Sequence, residues 1–134
     1  MTRIMMLAPD DRDLPYVCNL TFEKAMIAEG WKTPNTYGNE YATIENEPAV
    51  YVFVAVDDYD FLRSFVGYVG MSVKLRQRLT GHPVKAELDD LGLYVTTWFK
   101  PTSASDLREF ERACIQRFVP PWNIIGKPRG LVMS

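Results

Sequence analysis

Residues 49–82 read AVYVFVAVDDYDFLRSFVGYVGMSVKLRQRLTGH, and the first half of this stretch decides the fold class. Ala49–Val56 is uncharged, β-branched and aromatic, which predicts a buried strand. Ser64–Val69 predicts a second strand, and the acidic stretch Asp57–Asp60 predicts the turn between them, so the pair reads as a hairpin with a long loop. Gly70 ends it. Val73–Thr80 then predicts a short basic helix, stopped by Gly81-His82-Pro83.

Working outward, Leu91–Phe99 predicts a third strand. Ser103–Phe118 predicts a helix with a Ser-x-x-acid cap at Ser103–Asp106 and an apolar stripe of Leu107, Phe110, Cys114 and Phe118. Pro120-Pro121 breaks it, and Trp122–Ser134 reads as an irregular basic tail. Upstream, Leu14, Val17, Leu20, Ala25 and Ile27 predict a helix over Leu14–Glu29 with Gly30 as its stop, and Trp31–Pro48 reads as loop. The expectation is an α+β domain over 49–126, with a three-stranded antiparallel sheet flanked by helices. An appendage over 1–48 would precede it and a basic tail over 127–134 would follow.

Composition bounds the class. The chain has 134 residues, 47% hydrophobic and 24% charged, an ordinary globular mixture that favours one domain. Its 8 Gly and 9 Pro lack the abundance of collagen-like or low-complexity chains. The longest apolar runs fall far short of the roughly 20 residues a membrane helix needs. Ile4–Ala8 is too short for a signal peptide, and Asp10 follows at once. These points lead us to expect a cytoplasmic chain without a membrane partner. Cys18 and Cys114 are too far apart for a zinc spacing or a disulfide framework, and are expected to be free, buried thiols. The net charge of −2 argues against strong electrostatic nucleic-acid binding, but residues 1–48 hold 4 basic and 8 acidic side chains and residues 49–134 hold 11 and 9.

Several residues could carry chemistry. Glu111 falls inside the apolar stripe, where a carboxylate is costly unless paired. It is either a buried ion pair, a stripe edge, or a metal ligand or catalytic carboxylate, and Arg78 is a candidate partner. Lys74 and Arg78 share a helix face at i, i+4, with Arg76 to one side: a solvated basic face, or a phosphate site suited to the guanidinium fork. His82 is the chain's 1 histidine, with no second ligand nearby to make zinc plausible. Tyr51 and Tyr68 are ordinary core aromatics unless a cation or metal lowers their pKa. No nucleophile elbow, P-loop or dinucleotide glycine pattern occurs.

Individually weak, these features occur in a telling order. Ala49-Val50-Tyr51, Tyr68-Val69-Gly70, then Ser72, Leu75, Arg78 and His82, then Glu111, then Pro120-Pro121-Trp122-Asn123 resemble the GIY-YIG nuclease family. The resemblance spans about residues 49–126. Its most specific parts are Tyr68–His82, with Gly70, Arg78 and His82 at the family's intervals, and Glu111–Asn123. The latter is similar to excision-repair nuclease subunits and small phage endonucleases. Ala49 and Val69 replace the motifs' glycine and isoleucine without removing a functional group. Met71 stands where some members have Lys, and the interval between Tyr51 and Tyr68 is longer than usual.

The resemblance implies a compact domain that hydrolyses phosphodiester bonds in DNA with one divalent metal, Mg²⁺ or Mn²⁺. Glu111 would be the metal ligand and Arg78 the scissile-phosphate contact. Tyr51 and Tyr68 would line the site, one of them helping to deprotonate water. His82 would assist proton transfer or touch phosphate, and Asn123 would orient the site. Lys74, Arg76, Lys127 and Arg129 would hold nucleic acid. No separate DNA-reading domain is visible. The expectation is therefore a stand-alone endonuclease of short or low sequence specificity, either acting as a homo-oligomer or docking a protein partner through its acidic N-terminal segment. The alternative is a non-catalytic nucleic-acid-binding or regulatory module that keeps the nuclease fold.

Overall fold

The computed structural model describes residues 17–34, 44–56 and 63–125. The predicted turn at Asp57–Asp60, the tail with Lys127 and Arg129, and the segment before Val17 lie outside them. In chain order the elements are β1 (Val17–Cys18), α1 (Asn19–Ala28), β2 (Ala49–Val56), β3 (Arg63–Ser72), α2 (Leu75–Leu79), α3 (Pro83–Asp90), β4 (Tyr94–Pro101), α4 (Leu107–Phe118) and α5 (Pro121–Ile125). No helix among them is long and apolar enough to cross a membrane.

The α+β class is as expected, but the sheet has four strands, ordered β1-β3-β2-β4, rather than three. The added strand is the two-residue β1, antiparallel to Arg63 and Ser64 at the edge of β3. So short a strand carries too little alternation to be read from sequence.

β2 is central and wholly buried. Ala49, Tyr51, Phe53 and Ala55 point to one face, with Phe65, Leu75, Leu79, Leu88, Phe99 and Trp122. Val50, Val52 and Val54 point to the other, with Met26, Trp31, Val66, Val69, Trp98, Leu107 and Cys114. Burial on both faces explains why the strand reads as a continuous apolar run rather than an alternating one. Met26 and Trp31 bring the described part of residues 1–48 into the second core. Lys32 adds an antiparallel bridge to Phe99.

Register positions the tyrosines. Tyr51 lies opposite Gly70 and Phe53 opposite Tyr68, but Val54 pairs with Val66. One residue of β3, Gly67, is therefore left over as a bulge. In regular pleating Phe65 and Tyr68 would face opposite sides. The bulge shifts the phase, so both pack against the first core.

The preceding helices stop before the prolines as expected, α2 at Leu79 and α4 at Phe118, but two of the prolines also begin new helices. Pro83 opens α3 and Pro121 opens α5. Proline's missing N–H costs nothing at the first helical position. Accordingly the third long strand starts at Tyr94, not Leu91, and the expected irregular tail begins with a helical turn. α4 starts at Leu107, not Ser103, and Asp106 at its N-cap makes no side-chain cap bond. The Ser103 hydroxyl donates to the Asp106 carboxylate at 2.9 Å instead. α1 begins only at Asn19. Both cysteines are free, but only Cys114 is buried. Cys18, expected to be buried, sits exposed on the edge strand.

Candidate active site

Five of the six residues expected to be catalytic converge. Tyr51 comes from β2, Tyr68 from β3, Arg78 from α2, His82 from the loop entering α3, and Glu111 from α4. Tyr51 is only 1% exposed. Its ring centroid lies 6.3 Å from that of Tyr68 and 5.5 Å from that of His82. The Tyr68 and His82 rings are 5.4 Å apart. Phe53 floors the cluster, stacked on Tyr68 and edge-on to His82 at 4.9 Å.

Gly70 makes room for this arrangement. A Cβ there would overlap Cζ and Oη of Tyr51, so the ring lies over the bare backbone of the neighbouring strand. Gly70→Ala should displace Tyr51 and destabilise the fold by about 1–3 kcal/mol, the usual range for overpacking a core. A thermal melt checks this; an unchanged melting temperature would mean that the ring is not fixed.

His82 has a defined hydrogen-bonding state. Its Nδ1 accepts the Val84 backbone N–H at 3.1 Å and so caps α3. The neutral ring must then carry its proton on Nε2, which donates to Tyr51 Oη at 2.8 Å. The ring is 3% exposed, and burial, with the Arg78 charge second, depresses its pKa to about 4. The unfolded chain therefore takes up this proton first as pH falls through about 6.5. The stability due to neutral His82 is complete above that pH and is lost progressively toward pH 4, up to about 3 kcal/mol. Melting temperatures measured between these limits should fall in the parent, and His82→Asn should remove that part of the slope. Parallel curves for the two proteins would refute the assignment.

Arg78 joins the phenols. Its guanidinium lies beside the hydroxyls of both Tyr51 and Tyr68 and interacts with each. Desolvation opposes its charge, but the two phenols outweigh that and hold it protonated. Burial raises the pKa of both tyrosines. For Tyr51 the neighbouring Tyr68 adds to the rise, while Arg78 pulls down and Glu111 pushes up. For Tyr68 burial is again largest, with Arg78 lowering and Glu111 raising. Both phenols are therefore protonated at neutral pH, and Tyr51 Oη already receives the His82 Nε2–H.

Glu111 is half-buried on α4, between the buried Leu107 and Cys114. Its charge reaches both phenols. Among the described residues no three His, Cys, Asp or Glu side chains gather into a protein-only metal cage.

Asn123 is placed differently from the other five. Its Oδ1 accepts the Val69 N–H at 2.7 Å and its Nδ2 donates to the Val69 carbonyl at 2.8 Å. The amide thus stands in for a neighbouring strand along β3, directly beside Tyr68. Trp122 secures it by donating Nε1–H to Glu87 at 2.8 Å and stacking on Phe65.

No protein-family model, curated protein or solved structure matches this chain. The site is therefore read from its own geometry.

Of the basic residues expected to hold nucleic acid, Lys74 lines a cleft with Arg78. Arg76 instead directs Nη1 to the Ile44 carbonyl at 3.4 Å. Sequence reasoning missed Asn46, whose Oδ1 accepts the Gln77 N–H at 3.2 Å. Lys74, the N-cap of α2, offers no side-chain cap, so the missing acceptor comes from 31 residues away. Nothing local in the sequence could have signalled it. Gly67 also escaped, although an isolated glycine within a strand pattern is a recognised sign of a bulge.

Proposed function

We propose that the protein is a divalent-metal-dependent endonuclease of GIY-YIG type, hydrolysing phosphodiester bonds in DNA. The observation that carries this reading is the convergence of Tyr51, Tyr68, Arg78, His82 and Glu111, residues spread over 61 positions of sequence, around one pair of phenols. An apolar core needs none of those polar groups in one place. A polar cluster half-open to solvent, with one guanidinium and one carboxylate, suits a phosphate and a cation.

The donor set fits Mg²⁺ or Mn²⁺. Such hard ions take one or two carboxylates and fill the remaining positions with water and substrate phosphate, so Glu111 alone suffices from the protein. When bound there, the metal would supply Lewis acidity at the phosphate and favour the phenolate over the phenol.

The chain's own groups divide the remaining work. Arg78, set beside two phenols, presents its N–H donors to a phosphate and meets the charge that develops on its oxygens. Tyr51 is buried and engaged by His82, with the Arg78 charge beside it, so it positions Arg78. Tyr68 is the more exposed phenol and the one a water can reach. It orients that water and accepts its proton as the phenolate. His82 donates to Tyr51 and fixes that ring; with Nδ1 spent on Val84, it is not itself the base. Asn123 orients Tyr68 through the Val69 backbone.

The test is plasmid nicking with Mg²⁺ or Mn²⁺, beside the same reaction with chelator. Metal-dependent nicking is expected. A folded, metal-supplied protein that binds DNA and never cuts it would favour the non-catalytic module.

A further inference from the structure

A cleft of about 370 Å³ extends the site sideways along α2, its wall including Ser72, Lys74, Gln77, Arg78, Thr80 and Gly81. Arg78 belongs both to this wall and to the phenol cluster, so the two spaces share one guanidinium. Two cations line the cleft and no carboxylate does. Among the described residues, neither the Lys74 ammonium nor the Gln77 amide has a partner. The Ser72 oxygen accepts the Lys74 backbone N–H at 3.0 Å, which leaves its own O–H free to donate. The Thr80 donor is spent on the Arg76 carbonyl. The free groups thus include two cations and the Ser72 and Gln77 donors, with no carboxylate among them, which suits an anion.

The wall is fixed without a ligand. The Asn46 amide holds Gln77, and the Glu47 carbonyl accepts the Leu75 N–H at 3.1 Å. The backbone of the wall is thus set before a ligand arrives.

We infer that this cleft is a second phosphate subsite, holding the phosphodiester next to the one on Arg78. The substrate is then a polynucleotide strand rather than an isolated phosphodiester. The inference rests on the proposed function, which places the scissile phosphate at Arg78. The Lys74 carbonyl accepts the Arg78 backbone N–H at 3.1 Å, so the two residues stand one turn apart, about 5 Å along the axis of α2. That separation sets two charges side by side along a strand and gives each its own phosphate. Ser72 and Gln77 supply hydrogen bonds beside Lys74. Contacts of this kind position a strand without reading its bases.

The test is fluorescence anisotropy of the full chain with a labelled duplex of about 20 base pairs and with its single strand, in chelator, over a salt series. Lys74→Gln should weaken binding about three- to tenfold at low salt and reduce the salt slope by about one. Gln77→Ala should weaken it about threefold with the slope kept. Lys85→Gln, whose lysine pairs with Asp89 on α3, should change neither. Hydrolysis of bis(p-nitrophenyl) phosphate should be the same in Lys85→Gln as in the parent.

Equal affinity and slope in parent and Lys74→Gln would overturn the subsite, whatever the enzyme cuts. So would a parent that binds neither strand form. If Lys74→Gln shows the expected binding loss while no metal restores hydrolysis of any substrate, the nuclease reading fails and the subsite stands.

Discussion

With Glu111 replaced by alanine, metal-dependent nicking should fall by at least about a thousandfold in a protein that stays folded. The argument is one of placement. Glu111 is the carboxylate whose charge reaches both phenols, so a cation held there lies beside the same groups that surround the phosphate on Arg78. The packing of α4 rests elsewhere, on Leu107 and Cys114 within the second core. Alanine is the best helix former, so circular dichroism and the melting temperature should change little. Glu111→Gln should be nearly as inactive, because a neutral amide is a poor ligand for a hard cation. A second readout needs no activity. The Glu111 carboxylate raises both phenol pKa values, so removing it should move the ultraviolet titration of the tyrosines to lower pH in metal-free protein. Full nicking by folded Glu111→Ala would remove the residue from the mechanism.

The sequence is most informative where one residue's chemistry needs no neighbour to be recognised. The run of Val, Phe and Tyr in Ala49–Val56 can bury only as a strand, and it does. The stripe Leu107, Phe110, Cys114 and Phe118 gives α4 its inner face, and Glu111 stands out on it as the one costly residue. Sequence is less informative where a partner distant along the chain decides the local state. Pro83 and Pro121 break helices or open them according to what caps the preceding turn. For α3 that cap is His82, which also serves Tyr51. β1 exists only because Val17–Cys18 meets the edge of β3.

The site follows the same rule. Its residue types could be listed from sequence, because their order and intervals resemble those of the GIY-YIG pattern. Their hydrogen-bonding states could not. That His82 is a donor to Tyr51 rather than a base depends on the Val84 N–H. That Asn123 works on the β3 backbone depends on an edge left open beyond the short β1. Tyr68 shares a face with Phe65 through the Gly67 bulge, which simple alternation would have forbidden. The α+β class was therefore legible from pattern, and spacing picked out residues that converge in space. Protonation and orientation required three-dimensional neighbours.

Arg78→Ala should lower kcat by about a hundred- to a thousandfold, the range found when one preorganised donor to developing charge is removed. Arg78→Lys should recover only part of this, since an ammonium keeps the charge but cannot reach two phenols and a phosphate with one planar fork. The fall should appear in kcat and in kcat/KM together; a rise confined to KM would mean that Arg78 only binds substrate. The three groups around it report on the same cation independently of turnover. Arg78 lowers the phenols of Tyr51 and Tyr68 and, through its charge, the imidazole of His82. In Arg78→Ala both phenols should titrate still higher. The His82 ring, resolved in proton NMR as the chain's 1 histidine, should titrate above its depressed value of about 4, since burial alone would then hold it down. A phosphate-binding arginine turned out to solvent would leave both titrations where they are. An arginine fixed by the phenols must move them in opposite chemical senses, disfavouring phenolate and favouring imidazolium, because the same positive charge stabilises the first and repels the second.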